Sequence, residues 1–144
     1  MTSETVFTLE HSVEIPVDIA FAWRFRADVA TWDDPPATFA LHGPFADGVD
    51  GTTSIPGRPP LAWRVRDVRA PHSFTIEMQL EGAVCAAEWR FDALSGGRTK
   101  MTQRLRLSGP DAVQYREQFE TGFGSNVADG MNRVAAAIAA AYTR

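Results

Sequence analysis

The most constraining feature of this sequence is a series of short segments in which apolar and polar residues alternate, separated by turn signals. The clearest segment is FTIEMQL at residues 74–80, where every second residue is apolar and the residues between them are polar. A period of two is typical of a β-strand with one buried face. Because tight turns such as Glu81-Gly82 join consecutive segments, the chain predicts an antiparallel meander with one apolar face.

The alternation and its breaks predict six to seven strands, with two short helices after the first strand. The expected strands span residues 6–15, 39–41, 52–55, 61–68, 74–80, 84–91 and 99–107. Pro16 ends the first strand, and together with Asp18 it marks the start of a helix over residues 17–26. Asp28 is expected to cap a second helical turn over residues 29–32.

The last third of the sequence has the spacing of one long helix. It starts after Gly109-Pro110-Asp111, and its apolar residues recur mostly at steps of three and four. This apolar stripe consists of Val113, Phe119, Phe123, Val127, Met131, Val134, Ile138 and Tyr142. Interior glycines predict a kink, or a break near Gly124-Ser125-Asn126. The stripe must be buried, and the simplest solution is a helix lying across the apolar sheet face.

The order of these elements resembles the START-like, or SRPBCC, superfamily. The stretches that carry the resemblance are HSVEIPVDIAFAW, WDDP, PLAWRVRDV, AEWRFDALSGGRTKMTQRL and GFGSNVADGMNRVAAAI. Birch-pollen-allergen-type proteins, lipid-transfer domains and polyketide cyclases share this helix-grip fold. The resemblance implies one START-like domain over residues 1–144. It implies an α+β fold in which a curved antiparallel sheet wraps around a long C-terminal helix.

Charge and cysteine content argue against several classes of protein. Lys and Arg number 14 against 18 Asp and Glu, so the net charge is -4 and general electrostatic binding of nucleic acid or anionic membrane is not expected. The single Cys85 excludes an intramolecular disulfide, and neither cysteine nor histidine spacing indicates a metal site. With no signal-peptide pattern and no membrane-length apolar run, we expect a cytoplasmic monomer or homodimer without metal, cofactor or membrane insertion.

The apolar interior has two interpretations, because a solid core and a ligand pocket present the same pattern. The resemblance favours a cavity for a hydrophobic ligand between the sheet and the C-terminal helix. Candidate ligand-binding residues are the inward-facing side chains of the strands and of the helix stripe. They are His11, Trp63, Phe74, Ile76, Met78, Trp89, Phe91, Met101, Gln103, Phe119 and Phe123.

Polar candidates for the interior are few. His11 and Gln103 point inward, where they would orient a ligand or fill a satisfied place in the core. Cys85 is expected to be a small apolar filler, since no histidine is placed beside it to activate a thiolate. Asp33 and Asp34 are expected in a loop at the cavity rim, as solvated carboxylates or as an acid and base pair.

Two arginines on the first predicted helix, Arg24 and Arg26, are expected at the surface in ordinary ion pairs.

Three hypotheses for function follow. The leading one is binding of a hydrophobic small molecule such as a lipid, a polyketide or an aromatic metabolite. The second is a polyketide cyclase or aromatase-like enzyme, in which inward polar residues would move protons. The third is a protein-interaction domain of the chaperone-activator type. The chain has no phosphate-binding loop, GxGxxG, GxSxG or HExxH motif, so no motif assigns a reaction.

Overall fold

The computed structural model describes residues 5–32, 36–118, 120–121 and 124–143. The strands are β1 (Thr5–Ile15), β2 (Thr38–Leu41), β3 (Asp50–Ser54), β4 (Leu61–Arg69), β5 (Ser73–Leu80), β6 (Ala83–Leu94) and β7 (Arg98–Ser108). The helices are α1 (Ile19–Arg26), α2 (Ala112–Gln118) and α3 (Gly124–Tyr142), with a short 3-10 helix at Val29–Thr31. This is the predicted α+β helix-grip architecture, and each strand lies within a few residues of its predicted position.

The strands form one antiparallel sheet in the order β1-β7-β6-β5-β4-β3-β2. The register aligns the inward-facing rows of neighbouring strands. Ala87 on β6 is paired with Ile76 on one side and with Leu105 on the other. Gln103 is likewise paired with both Trp89 and His11. The predicted apolar face is therefore continuous across the central strands.

Side-chain caps fix the starts of α1 and of the 3-10 helix that follows it. Asp18 accepts a hydrogen bond from the backbone N–H of Phe21 at 2.9 Å, and Asp28 accepts one from Ala30 at 3.1 Å. Both caps satisfy amides that a helix start leaves without a backbone partner. The cap at Asp18 starts α1 at Ile19, two residues later than predicted, because the capping residue stays extended.

The C-terminal helical region covers the concave face of the sheet. Val127, Met131 and Ile138 of α3 are buried against the sheet, as the helical spacing predicts. The predicted single helix is described as α2 and α3, and α3 begins at Gly124, beside the predicted break. Residues 119, 122 and 123 between them lie outside the described part of the chain.

Candidate ligand-binding pocket

A pocket of about 760 Å³ lies between the concave face of the sheet and α3. Its sheet side is formed by inward residues of β5, β6 and β7, namely Ile76, Met78, Cys85, Ala87, Trp89, Gln103 and Leu105. Its helix side is formed by Val127, Gly130, Arg133, Val134 and Ala137 of α3. The end of α1, the 3-10 helix and strands β2 to β4 close one end with Phe25, Arg26, Thr31, Trp32, Phe39, Thr53 and Trp63.

The pocket exists because small side chains face one another across the gap. Cys85 and Ala87 on the sheet lie opposite a helix that lines the pocket with Gly130 and Ala137. Close packing of an interior requires side chains that reach each other, and these are too short to do so. As a result Ile76 points inward from a central strand and is still only half-buried.

The aromatic side chains fall into two groups, and the first is a solid core. The ring centroids of Phe74 and Phe91 lie 5.7 and 5.8 Å from that of Trp23 on α1. The ring of Phe45, from the loop between β2 and β3, lies 5.1 Å from that of Phe74. Phe74, Phe91 and Met101 are fully buried here. These three predicted ligand contacts are therefore core residues and do not line the pocket, because α1 and the loop cover this end of the sheet.

The second aromatic group lines the pocket. The centroid of Trp32 lies 5.5 Å from those of both Trp63 and Phe39. The Trp63 indole N–H donates to the hydroxyl of Thr53 at 2.9 Å, which fixes the ring. Gly51, paired with Trp63 across β3 and β4, leaves space for that ring, since a Cβ there would overlap it.

Arg26, the last residue of α1, is the unusual charged group of the pocket. Its guanidinium carbon lies over the rings of Trp89 and Trp32, at 4.0 and 4.6 Å from their centroids. Its Nε is buried without a hydrogen-bond partner, and it makes none of the ion pairs found among the described residues. Burial lowers the pKa of Arg26 to about 9. The prediction that Arg26 forms an ion pair at the surface is wrong, because the last turn of α1 faces the pocket.

The other predicted polar residues take different positions. Gln103 lines the pocket, whereas His11, its partner across β1 and β7, is half-buried and lies outside the lining. Burial raises the pKa of the Cys85 thiol to about 11, so the thiol stays protonated at neutral pH and behaves as the predicted filler.

Four candidates fall where the structure gives no description. Phe119, Phe123, Asp33 and Asp34 lie outside the described residues. Their proposed roles at the helix stripe and the rim stay predictions.

The fold thus brings five of the predicted site residues together around the pocket: Trp63, Ile76, Met78, Trp89 and Gln103. Sequence reasoning missed Arg26, Trp32 and Phe39 as lining residues. The position of Trp32 in the family-like WDDP stretch was a usable signal for that residue. Arg26 had none, because its aromatic neighbours come from distant parts of the chain.

The fold and the pocket define a helix-grip protein with a mainly apolar pocket between sheet and C-terminal helix. The family described as polyketide cyclase / dehydrase and lipid transport matches residues 6–139. The chain therefore belongs to that family. A comparison with curated protein sequences gives no match.

Solved structures support the fold assignment. One similar structure is a point mutant of norcoclaurine synthase from Thalictrum flavum in complex with a transition-state analogue. It superposes with a TM-score of 0.75 at 12% sequence identity, and the match covers 100% of this chain and 99% of that chain. A protein from Arthrobacter aurescens gives 0.71 at 18% identity, covering 95% and 90%. A protein from Mycobacterium smegmatis gives 0.64 at 19% identity, covering 97% and 94%. At these identities the likeness concerns the fold alone.

Two further properties hold within the described ranges. No helix there is long and apolar enough to cross a membrane. The same residues contain no group of three or more His, Cys, Asp or Glu side chains placed to hold a metal ion.

Proposed function

We propose that this protein binds a hydrophobic small molecule in the pocket between the sheet and α3. The observation that carries the proposal is the half-burial of Ile76 and Met78 in the middle of the inward face of the sheet. Side chains at that position in a closed core would be fully buried, as Phe74 is on the same strand. Membership of a family described by polyketide cyclisation and lipid transport supports the same function.

The size and lining of the pocket are those of a small-molecule site. Such sites enclose roughly 300–1,000 Å³ and combine an apolar wall with a few polar groups. Here Trp63, Trp89 and Leu105 supply apolar surface, and Gln103 supplies an amide. Transfer of apolar ligand surface out of water contributes about 25 cal/mol per Å², so burial drives binding and the polar groups set orientation.

Two titratable groups of the described lining favour binding over acid-base catalysis. The Cys85 thiol, with a pKa near 11, and the Arg26 guanidinium, with a pKa near 9, each keep one protonation state at neutral pH. Such groups hold a charge or fill space, whereas a general acid or base needs a pKa near the working pH. The cyclase-like alternative, with His11 and Gln103 as its polar pair, stays a prediction.

A neutral fluorescent probe with a pocket-filling variant tests the proposal. Phenylnaphthylamine should bind the wild-type protein with a saturable rise in fluorescence. Ala87→Phe places a ring in the pocket and should weaken binding about tenfold or more, since it removes space the probe occupies. Ala86→Phe is the matched control, because Ala86 is the neighbouring residue of β6 and points to the other face of the sheet.

Thermal unfolding of both variants checks that they remain folded. Absence of saturable binding, or equal binding by the wild type and Ala87→Phe, would overturn the proposed function. Where the probe binds as expected, native mass spectrometry of the protein purified from its own host would identify the molecule that it carries.

A further inference from the structure

The charged side chains of the described lining are both arginines, Arg26 and Arg133, although the whole chain has a net charge of -4. Arg26 comes from the end of α1, which closes one end of the pocket, and Arg133 comes from α3. A cation that faces an apolar, low-dielectric space attracts a negative group more strongly than it would in water.

Arg26 itself lacks a negative partner in the part of the chain that the structure describes. Its Nε is buried without a hydrogen bond, and the lowering of its pKa has burial as its cause. A buried charge without a counter-charge is strongly disfavoured. The rings of Trp89 and Trp32 offset part of this cost through cation–π contacts, but they accept no hydrogen bonds from the guanidinium edge.

The surroundings hold the guanidinium in one place at the pocket wall. The indole N–H of Trp32 donates to the backbone carbonyl of Arg26 at 2.8 Å, which ties the ring to the end of α1. Trp32 also packs against Trp63, whose indole is fixed by Thr53. A donor group positioned before the ligand arrives binds it with a smaller loss of conformational entropy.

We propose that the pocket takes an amphiphilic acid, in which an apolar or aromatic body lies against the sheet and a single anionic oxygen group docks on the guanidinium of Arg26. This rests on the proposed binding function and narrows its ligand class. The planar guanidinium suits a carboxylate-like group with two acceptor oxygens, because its N–H donors form a fixed fork. Arg26 thus sets the orientation of the ligand and selects acids over neutral molecules of the same shape.

Two probes that share one aromatic body test this selection. Anilinonaphthalene sulfonate carries an anionic group that phenylnaphthylamine lacks, and their affinities are measured by fluorescence titration on the same protein. The wild type should bind the sulfonate at least about tenfold more tightly, the effect of one charge-assisted hydrogen-bonding contact. The comparison on the wild type needs no variant to fold.

The variant Arg26→Gln should abolish the advantage of the sulfonate, measured as the ratio of its affinity to that of phenylnaphthylamine in the same variant. A change in packing around the shared aromatic body affects both affinities and cancels in this ratio. Arg24→Gln is the matched control, because it removes the same charge from an exposed position on the same helix. It should keep the advantage. Arg26→Lys retains the charge without the planar fork of guanidinium donors, so it should keep part of the advantage of the sulfonate.

The outcomes separate the two proposals. Equal affinities of the wild type for both probes, or an advantage that survives in Arg26→Gln, would overturn the acid-binding inference while the pocket remains a binding site. If neither probe binds, or if Ala87→Phe still binds both, the proposed function fails and this inference falls with it.

Discussion

The guanidinium carbon of Arg26 lies 4.0 Å from the centroid of the Trp89 ring. Trp89 lies on β6 in the interior of the sheet, whereas Arg26 is the last residue of α1, so the contact fixes the end of that helix against the pocket wall. Trp32 contributes a second ring at 4.6 Å and holds the backbone of Arg26 through its indole N–H. The positive charge of Arg26 is thus held between aromatic faces without a counter-charge among the described residues, and the effect of this charge on the free energy of unfolding can be measured.

Replacing Arg26 with Met should leave the protein equally stable or make it more stable. The desolvation of an unpaired buried charge costs several kcal/mol, whereas two cation–π contacts return about 0.5–2 kcal/mol each. A Met side chain fills similar space without a charge, so urea unfolding should show a gain of up to about 2 kcal/mol.

Arg24→Met on the exposed face of the same helix is the control and should change stability by less than about 0.5 kcal/mol. A clear loss of stability in Arg26→Met alone would mean that Arg26 has a structural partner, contrary to the unpaired charge described above.

Two methionines on the inward face of the sheet should respond differently to truncation. Met101 is fully buried and Met78 is a half-buried pocket residue. Met101→Ala creates a cavity in a closed core and should cost about 2–5 kcal/mol, with little effect on probe affinity. Met78→Ala removes surface that the pocket already exposes, so it should cost less stability and change the affinity for phenylnaphthylamine. Equal losses of stability in the two variants would contradict the division between core and lining.

The inward face of the sheet could be predicted from local sequence, but its division into core and pocket could not. Alternation along β5 places both Phe74 and Met78 inward, because side-chain direction in a strand depends only on position parity. Whether each is covered depends on what lies opposite. Trp23 covers Phe74, whereas Met78 faces the pocket that α3 lines with small residues such as Gly130. These are contacts between distant segments, which a periodic pattern does not encode.

Gly51 should be intolerant of even one methyl group, because a Cβ at this position would overlap the ring of Trp63. The ring is held by its hydrogen bond to Thr53, so relief requires that the indole or the strand moves. Gly51→Ala should therefore cost about 1–3 kcal/mol, as overpacking does, and should lower the affinity for both probes by displacing a lining residue. Ser54→Ala, at an exposed position on the same strand, should do neither. Normal probe binding by Gly51→Ala would show that Trp63 is not needed in its present position.

The buried thiol of Cys85 should make stability fall with pH in alkaline solution. Burial raises its pKa from 9.0 to about 11. Below pH 9 the thiol is protonated in both the folded and the unfolded chain, and its full contribution to stability is present. As the pH rises from about 9 to 11 the unfolded chain loses this proton and the folded chain keeps it, so about 2–3 kcal/mol of stability is lost.

Urea unfolding of the wild type and of Cys85→Ala at several pH values isolates this effect, because every other titrating group is common to both. The stability of the wild type should decline more steeply than that of the variant over this interval. Parallel declines would mean that the thiol ionises as easily in the folded protein as in the unfolded chain, and therefore that water reaches this wall of the pocket freely.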